Sequence, residues 1–126
     1  MKKLIVDIDN TLSITINSDY ENSKPIISVI SKLREYQKLG FTIVLFSSRN
    51  MRTFESNVGK INIHTLPKLI SWLNEHEVPF DELLVGKPWC GHDGFYIDDR
   101  AVRPSEFVNQ SYEEIRELLS KELKSI

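Results

Sequence analysis

The sequence predicts an α/β protein, a three-layer α/β/α sandwich built around a parallel sheet. Apolar segments of strand length alternate along the chain with segments of helical periodicity, which is the pattern of strand–helix–strand units. The strand segments are continuous apolar runs, as in Leu4–Val6 and Phe41–Phe46. Strands that are buried on both faces of a parallel sheet have this composition.

The predicted elements are a strand, a flap, a helix, a strand, an ordered loop, a helix, two short strands and a last helix. The predicted strands are Leu4–Val6, Phe41–Phe46, Leu83–Val85 and Phe95–Ile97. The predicted helices are Pro25–Gly40, Thr65–Val78 and Ser111–Leu123. The flap is Leu12–Asp19, and the ordered loop is Asn50–His64. Pro25 is predicted at the first helical position, which its fixed φ suits. Thr65 is predicted to cap the second helix. Ser111 and Glu114 are spaced as a capping box for the last one.

Length and composition favour one soluble domain over residues 1–126. The chain is 40% hydrophobic and 27% charged, and its net charge of -2 gives no reason to expect nucleic acid as a partner. No apolar run approaches the roughly 20 residues of a membrane span. The first strand leaves no room for a signal peptide, and the single Cys90 cannot form an internal disulfide. We therefore expect a cytoplasmic protein with no membrane partner.

Two acidic residues, Asp7 and Asp9, follow the first strand, and Thr11 comes two positions later. Ligands of open α/β sheets bind outside the carboxyl ends of the strands, where these residues would lie. Two carboxylates this close repel each other and need a cation or a shared proton. Magnesium, which prefers oxygen ligands, is the expected cation. The alternative is that both residues only cap a turn.

Polar residues also follow the other predicted strands. Ser47 and Ser48 follow the second strand, Lys87 comes two residues after the third, and Asp98 and Asp99 follow the fourth. Polar groups that converge on one edge of a sheet suit phosphoryl transfer, in which carboxylates hold a metal and a lysine and a hydroxyl hold the phosphate. Each group also has a simpler interpretation as a cap, a solvated lysine or a surface ion pair.

This order of motifs resembles the four-motif signature of the haloacid dehalogenase superfamily, which has a Rossmann-like parallel sheet. The resemblance rests on Asp7-x-Asp9-x-Thr11, Ser47, Lys87 and Asp98-Asp99. Three further stretches look like a subgroup of small phosphatases encoded with capsule and surface-polysaccharide synthesis genes. They are Asn50–Thr53, Gly59–Asn62 and Gly86–Trp89.

The resemblance implies a role for each catalytic residue. Asp7 would attack phosphorus and carry a transient aspartyl-phosphate. Asp9 would act as general acid and then as general base, and an aspartate at this position is typical of the family's phosphatases. Ser47 would donate to the phosphate, and Lys87 would neutralise the developing charge and orient Asp7.

The resemblance also implies how the magnesium ion is held. Its ligands would be Asp7, the backbone carbonyl of Asp9, and Asp98. Asp99 would bind through water or orient Lys87. The four acidic residues are therefore the expected metal-site residues.

Substrate contacts are expected from the cationic loop after the second strand. Arg49, Arg52 and Lys60 are the candidates there, in addition to the phosphate-binding Thr11, Ser47 and Ser48. Neither inter-motif gap holds the cap domain that many family members carry, so the site should be open. An open site favours either self-association that places a partner loop over Asp7, or low discrimination among small phosphate esters.

The function expected from the sequence is a magnesium-dependent, capless phosphatase acting on a small phosphorylated substrate. The sugar phosphate that we expect rests on the subgroup resemblance alone. One alternative is a phosphatase of nucleotides or other small metabolites. Others are a catalytically weak phosphate-binding partner of a polysaccharide-synthesis enzyme, and a flavodoxin-like domain that binds a ligand without chemistry.

Overall fold

The computed structural model describes all 126 residues, Met1–Ile126. It contains five strands and five α-helices. In chain order they are β1 (Lys3–Val6), β2 (Ser13–Ile14), β3 (Lys24–Pro25), α1 (Ile27–Lys38), β4 (Thr42–Ser47), α2 (Val58–His64), α3 (Leu66–Glu75), β5 (Glu82–Val85), α4 (Pro104–Asn109) and α5 (Tyr112–Ser120). The chain divides into two compact units, Met1–Trp89 and Cys90–Ile126. The single domain predicted over residues 1–126 stays a prediction.

The main sheet has three strands in the order β1-β4-β5, and both pairings are parallel. Val6 lies beside Leu45, and Ser47 lies beside Val85. The carboxyl ends of the three strands therefore meet at one edge of the sheet. The prediction of an α/β fold with a parallel sheet is confirmed.

The central strand β4 forms the middle of the core in the first unit. Ile43, Val44 and Leu45 are at most 2% exposed, as expected for a strand covered on both faces. Helix α1 buries a stripe of residues at helical spacing, namely Val29, Ile30, Leu33 and Tyr36. This stripe is the apolar face that the sequence predicts.

The flap after β1 is present as the two-stranded antiparallel ribbon β2–β3. Pro25 belongs to β3 and α1 begins at Ile27, so the prediction of Pro25 as the first helical residue is wrong. Pairing with Ser13 draws Pro25 into the ribbon before the helix can start. The indole Nε1 of Trp72 in α3 donates to the carbonyl of Ser23 over 3.1 Å, which ties the base of the flap to a helix.

Helix α2 lies within the segment that the sequence predicts as a loop. It begins after Asn57, whose side chain accepts a hydrogen bond from the Lys60 N–H and so caps the helix. Thr65 occupies the predicted N-cap position of α3, but its side chain makes no capping hydrogen bond. Its backbone is already helical, and its hydroxyl donates instead to the Asn50 side chain over 2.7 Å.

The second unit contains α4 and α5. The predicted capping box of Ser111 and Glu114 is confirmed, since each side chain accepts from the other residue's N–H. The predicted strand Phe95–Ile97 is absent, because the segment pairs with no strand and the main sheet ends at β1. Phe95 and Ile97 are 76% and 89% exposed.

None of the helices is both long enough and apolar enough to cross a membrane.

Truncating the central strand tests the core. Leu45→Ala should lower the free energy of unfolding by about 2–5 kcal/mol, because Leu45 is fully buried and the change leaves a cavity. Urea denaturation monitored by circular dichroism measures the loss. The control Ile27→Ala removes a side chain that is 63% exposed, and should stay within about 0.5 kcal/mol of wild type. Equal losses in the two variants would contradict this assignment of the core.

Candidate functional site at the carboxyl edge of the sheet

A tight turn presents the acidic pair after β1. The carbonyl of Ile8 accepts hydrogen bonds from the N–H groups of Thr11, Leu12 and Ser13, over 3.1, 2.8 and 3.2 Å. Ile8 and Leu12 are fully buried and anchor the turn in the core. Asn10 has φ 62°, a left-handed conformation that asparagine tolerates better than most residues. The turn leaves the acidic side chains at the sheet edge.

Asp7 lies between a hydroxyl and an ammonium group. Thr11 Oγ1 donates to one carboxylate oxygen of Asp7 over 3.1 Å, and Lys87 Nζ lies 3.4 Å from the other. The side chains of Asp7 and Lys87 are 30% and 19% exposed, so the pair is partly shielded yet reachable from solvent. The structure therefore brings together three of the residues that the sequence singles out.

Asp9 is held by a different set of groups. Arg49 donates through Nε and Nη2 to the two carboxylate oxygens over 3.1 and 2.7 Å, and Thr15 Oγ1 donates to one of them over 3.0 Å. Two parallel bonds between a guanidinium and a carboxylate give strong and specific positioning. The Arg49 side chain is only 5% exposed, and its guanidinium lies 4.3 Å from the centroid of the Tyr20 ring.

Flap residues therefore surround the Asp9–Arg49 pair. Thr15 and Tyr20 both belong to the flap, and the Thr15 hydroxyl also lies 2.7 Å from that of Ser23. None of these contacts is predicted by the sequence. One signal could have suggested that Asp9 and Arg49 meet. The two residues follow β1 and β4, which are neighbours in a parallel sheet.

The end of β4 is connected to the Lys87 loop. The Ser47 carbonyl accepts from the Lys87 N–H over 3.1 Å, and the Ser47 hydroxyl accepts from the Arg49 N–H over 3.0 Å. Ser47 is only 1% exposed, so the hydroxyl lies beneath the surface of the site. Ser48 is half-buried, and its carbonyl accepts from the Met51 N–H.

The three predicted cationic contacts have different surroundings. Arg49 is buried against Asp9, whereas Arg52 is exposed with its guanidinium 5.7 Å from the centroid of the Trp89 ring. Arg52 and Trp89 line an open groove of about 380 Å³, and Arg49 lines another, of about 400 Å³. Lys60 is exposed in the first turn of α2.

The two remaining acidic residues belong to the second unit. Asp98 and Asp99 are exposed, and the Asp98 carboxylate accepts from the Arg100 N–H over 2.8 Å. They follow an extended segment rather than the predicted strand.

The oxygen donors of the first unit suit a hard cation that keeps much of its water. Asp7 offers a carboxylate and Asp9 a backbone carbonyl, and magnesium in proteins is often held by only one or two carboxylates. The Asp9 carboxylate is already occupied by Arg49 and Thr15. No three or more His, Cys, Asp or Glu side chains are grouped so that they could hold a metal ion. The first unit thus offers two oxygen donors for a cation, and magnesium stays a prediction.

Removing the partner of Asp9 tests the buried ion pair. Arg49→Ala should lower the free energy of unfolding by about 1–3 kcal/mol, because it leaves the Asp9 carboxylate without two hydrogen bonds. Urea denaturation measures the change. The control Lys121→Ala breaks an exposed ion pair with Glu117 and should cost at most about 1 kcal/mol. An unchanged midpoint for Arg49→Ala would show that the pair does not stabilise the fold.

Comparison with known proteins gave two structural matches. No family model matches the chain, and no curated protein matches it. A chain from the structure of the Pnkp1/Rnl/Hen1 complex is 19% identical, with a TM-score of 0.50. The match covers 87% of this chain but 35% of that one, so the chain spans about a third of that protein's length. At this identity the match shows a shared fold.

The second match is much more similar. A crystal structure described as an MCSG target from Vibrio cholerae is 66% identical, with a TM-score of 0.94. The match covers 97% of this chain and 99% of that chain. Identity at this level over nearly the whole length of both chains is found between members of one family, and this chain belongs to the same family as the Vibrio cholerae protein.

Proposed function

We propose that this chain is a magnesium-dependent phosphatase of the haloacid dehalogenase superfamily that hydrolyses a phosphate monoester. One observation carries the proposal. The Asp7 carboxylate lies 3.4 Å from Lys87 Nζ and 3.1 Å from Thr11 Oγ1, and Asp9 is fixed two residues further along by Arg49. A positioned carboxylate beside an ammonium group and a second carboxylate suits phosphoryl transfer through a covalent intermediate.

In the first step an oxygen of Asp7 attacks the phosphorus atom. The new bond joins the Asp7 oxygen to phosphorus, and the bond from phosphorus to the leaving alcohol oxygen breaks. Asp9 in its protonated form gives its proton to that oxygen, so the leaving group departs as a neutral alcohol. Lys87 neutralises charge on the phosphoryl oxygens, and the hydroxyl of Ser47 can donate to one of them.

In the second step water hydrolyses the aspartyl-phosphate. Asp9 is now a carboxylate and takes a proton from the water as its oxygen bonds to phosphorus. The bond between phosphorus and the Asp7 oxygen breaks, which releases inorganic phosphate and regenerates both carboxyl groups. Arg49 and Thr15 already bind the Asp9 carboxylate in the form that this step needs.

The oxygen donors allow a magnesium ion beside Asp7. The Asp7 carboxylate and the Asp9 carbonyl would hold it, and its charge would offset the charge of the phosphate. A fixed turn from Asp7 to Thr11 would therefore position both the nucleophile and the oxygen atoms that would hold the ion.

The proposed substrate is a small sugar phosphate. This choice rests on the likeness of Asn50–Thr53, Gly59–Asn62 and Gly86–Trp89 to small phosphatases of capsule and surface-polysaccharide synthesis. The groove lined by Arg52 and Trp89 supports it, because a guanidinium beside an indole can bind an anionic group and the face of a sugar ring.

A panel of phosphate esters tests the activity. We expect release of inorganic phosphate in the presence of magnesium, and loss of this activity after treatment with EDTA, because the ion offsets the charge of the phosphate. A malachite green assay across sugar phosphates, nucleotides and an aryl phosphate measures the activity. Adding back magnesium in excess is the control. Release that is unchanged after chelation and dialysis would contradict the metal dependence.

Substitution of the two acids separates their roles. Asp7→Asn should abolish turnover, because an amide is a far poorer nucleophile than a carboxylate. Asp9→Asn should slow turnover by about 10²–10⁴-fold, as expected for a lost general acid and base. The exposed Asp93→Asn is the matched control and should retain wild-type activity. Near wild-type turnover in Asp7→Asn would point instead to direct attack by water.

A further inference from the structure

The outer edge of β1 has no partner strand. β1 pairs with β4 on one side, and the sheet ends on the other. Ile5, in the middle of this apolar strand, is 59% exposed. In a parallel sheet alternate N–H and C=O groups of an edge strand point away from its one neighbour. Such an edge can accept another strand.

The chain itself carries a segment with the matching chemistry. Phe95–Ile97 is a continuous apolar run, as in strands that are buried on both faces. It forms no strand here, and its three side chains are 76%, 51% and 89% exposed. Asp98 and Asp99 follow directly, just as Asp7 follows β1.

The connection before this segment has the properties of a hinge. It has nine residues, from Gly86 to Gly94, whereas a crossover between parallel strands usually takes about a dozen or more. A Cβ on Gly94 would clash with the Cys90 carbonyl oxygen, so only glycine fits this turn. The boundary between the two compact units falls here, after Trp89. Short, constrained connections favour exchange of a segment between two copies of a chain.

We propose that two copies of this chain exchange their second units, and that Phe95–Ile97 of each copy adds as a parallel strand to the free edge of β1 in the other. The arrangement is symmetric and closed, since each copy gives one segment and receives one. Each segment brings two aromatic side chains, which can bury about 150 Å² each. The sheet surface that these side chains cover is buried as well, and the contact occurs twice in the symmetric dimer. The total buried area is therefore roughly 1,200 Å², the lower end of the range for a specific interface.

The exchange completes the metal site, a consequence that rests on the proposed function. Neighbouring strands lie about 4.8 Å apart, so a strand parallel to β1 that ends at Ile97 places Asp98 of the second copy beside Asp7. That carboxylate is the ligand that the first unit lacks. A strand added beyond β5 would instead lie roughly 14 Å from β1, three strand spacings away. The β1 edge is therefore the edge at which docking has a chemical consequence.

Cysteine cross-linking tests the docking without any activity measurement. In the background of Cys90→Ser, Ile5→Cys is combined in turn with Phe95→Cys, Tyr96→Cys or Ile97→Cys, so that Ile5 is tested against each residue of the segment. After mild oxidation, at least one pair should run as a covalent dimer on a non-reducing gel. Light scattering of the wild-type protein should give twice the 14.6 kDa of one chain.

Two controls make the cross-link specific. Ile5→Cys alone should stay uncrosslinked, and Leu84→Cys on β5 with Ile97→Cys should not form the dimer. A covalent monomer in the Ile5 series would show that the segment docks within its own chain and would overturn the proposal. Absence of any cross-link in a folded protein, or a monomeric mass by light scattering, would overturn it as well.

Complementation then tests whether one site is built from two copies. The Asp7→Asn and Asp98→Asn variants are each expected to be inactive. Equal amounts of the two variants are unfolded together and then refolded. Half of the resulting dimers contain one copy of each variant. In each mixed dimer one of the two sites has both native residues and the other has neither. The mixture should therefore recover about a quarter of wild-type activity. No recovery in a mixture that forms covalent dimers in the cross-linking assay would overturn the shared site. If the wild-type protein releases no phosphate, the proposed function fails, while the cross-link still decides the docking.

Discussion

The ion pair between Asp9 and Arg49 is the interaction on which the geometry of the site depends. A buried guanidinium needs a counter-charge, and here the carboxylate two residues after Asp7 supplies it. The pair connects the turn after β1 to the segment after β4, and Thr15 and Tyr20 of the flap close around it. Asp7 belongs to the same turn, so the ion pair also helps to fix the carboxylate that lies near Lys87. The stability of the fold and the geometry of the candidate site are thus linked through Arg49.

Much of the candidate site could be predicted because the carboxyl ends of parallel strands always meet at one edge of the sheet. That rule, applied to apolar runs followed by polar residues, is enough to bring Asp7, Thr11 and Lys87 together. The partner of Asp9 could not be predicted in the same way. Several cationic side chains follow β4, and the structure buries Arg49 against Tyr20 and Asp9. Sequence patterns place residues along an edge, whereas the choice among neighbours depends on side-chain burial.

The fold shows the same distinction between what a sequence pattern predicts and what the surrounding structure decides. The helices with a full apolar stripe, such as α1, were predictable from periodicity. Helix α2 has only Ile61 buried, so its seven residues carry too weak a pattern to be distinguished from a loop. For Phe95–Ile97 the apolar run predicts a buried strand, whereas the segment pairs with no strand and its side chains are exposed. Composition predicts that a segment suits a strand, and it carries no information on whether a neighbouring strand is in place.

The hydrogen bond from Trp72 to Ser23 gives the protein a built-in optical reporter. The Trp72 indole is buried and donates to the base of the flap, whereas Trp89 is exposed beside Arg52. The two indoles therefore lie in environments of different polarity, and Trp72 is bonded to the segment that surrounds Asp9. Water that reached Trp72 when the flap lifted would shift its emission to longer wavelength, while a ligand in the neighbouring groove would quench Trp89. Fluorescence can thus follow the two regions of the site separately in the unlabelled protein.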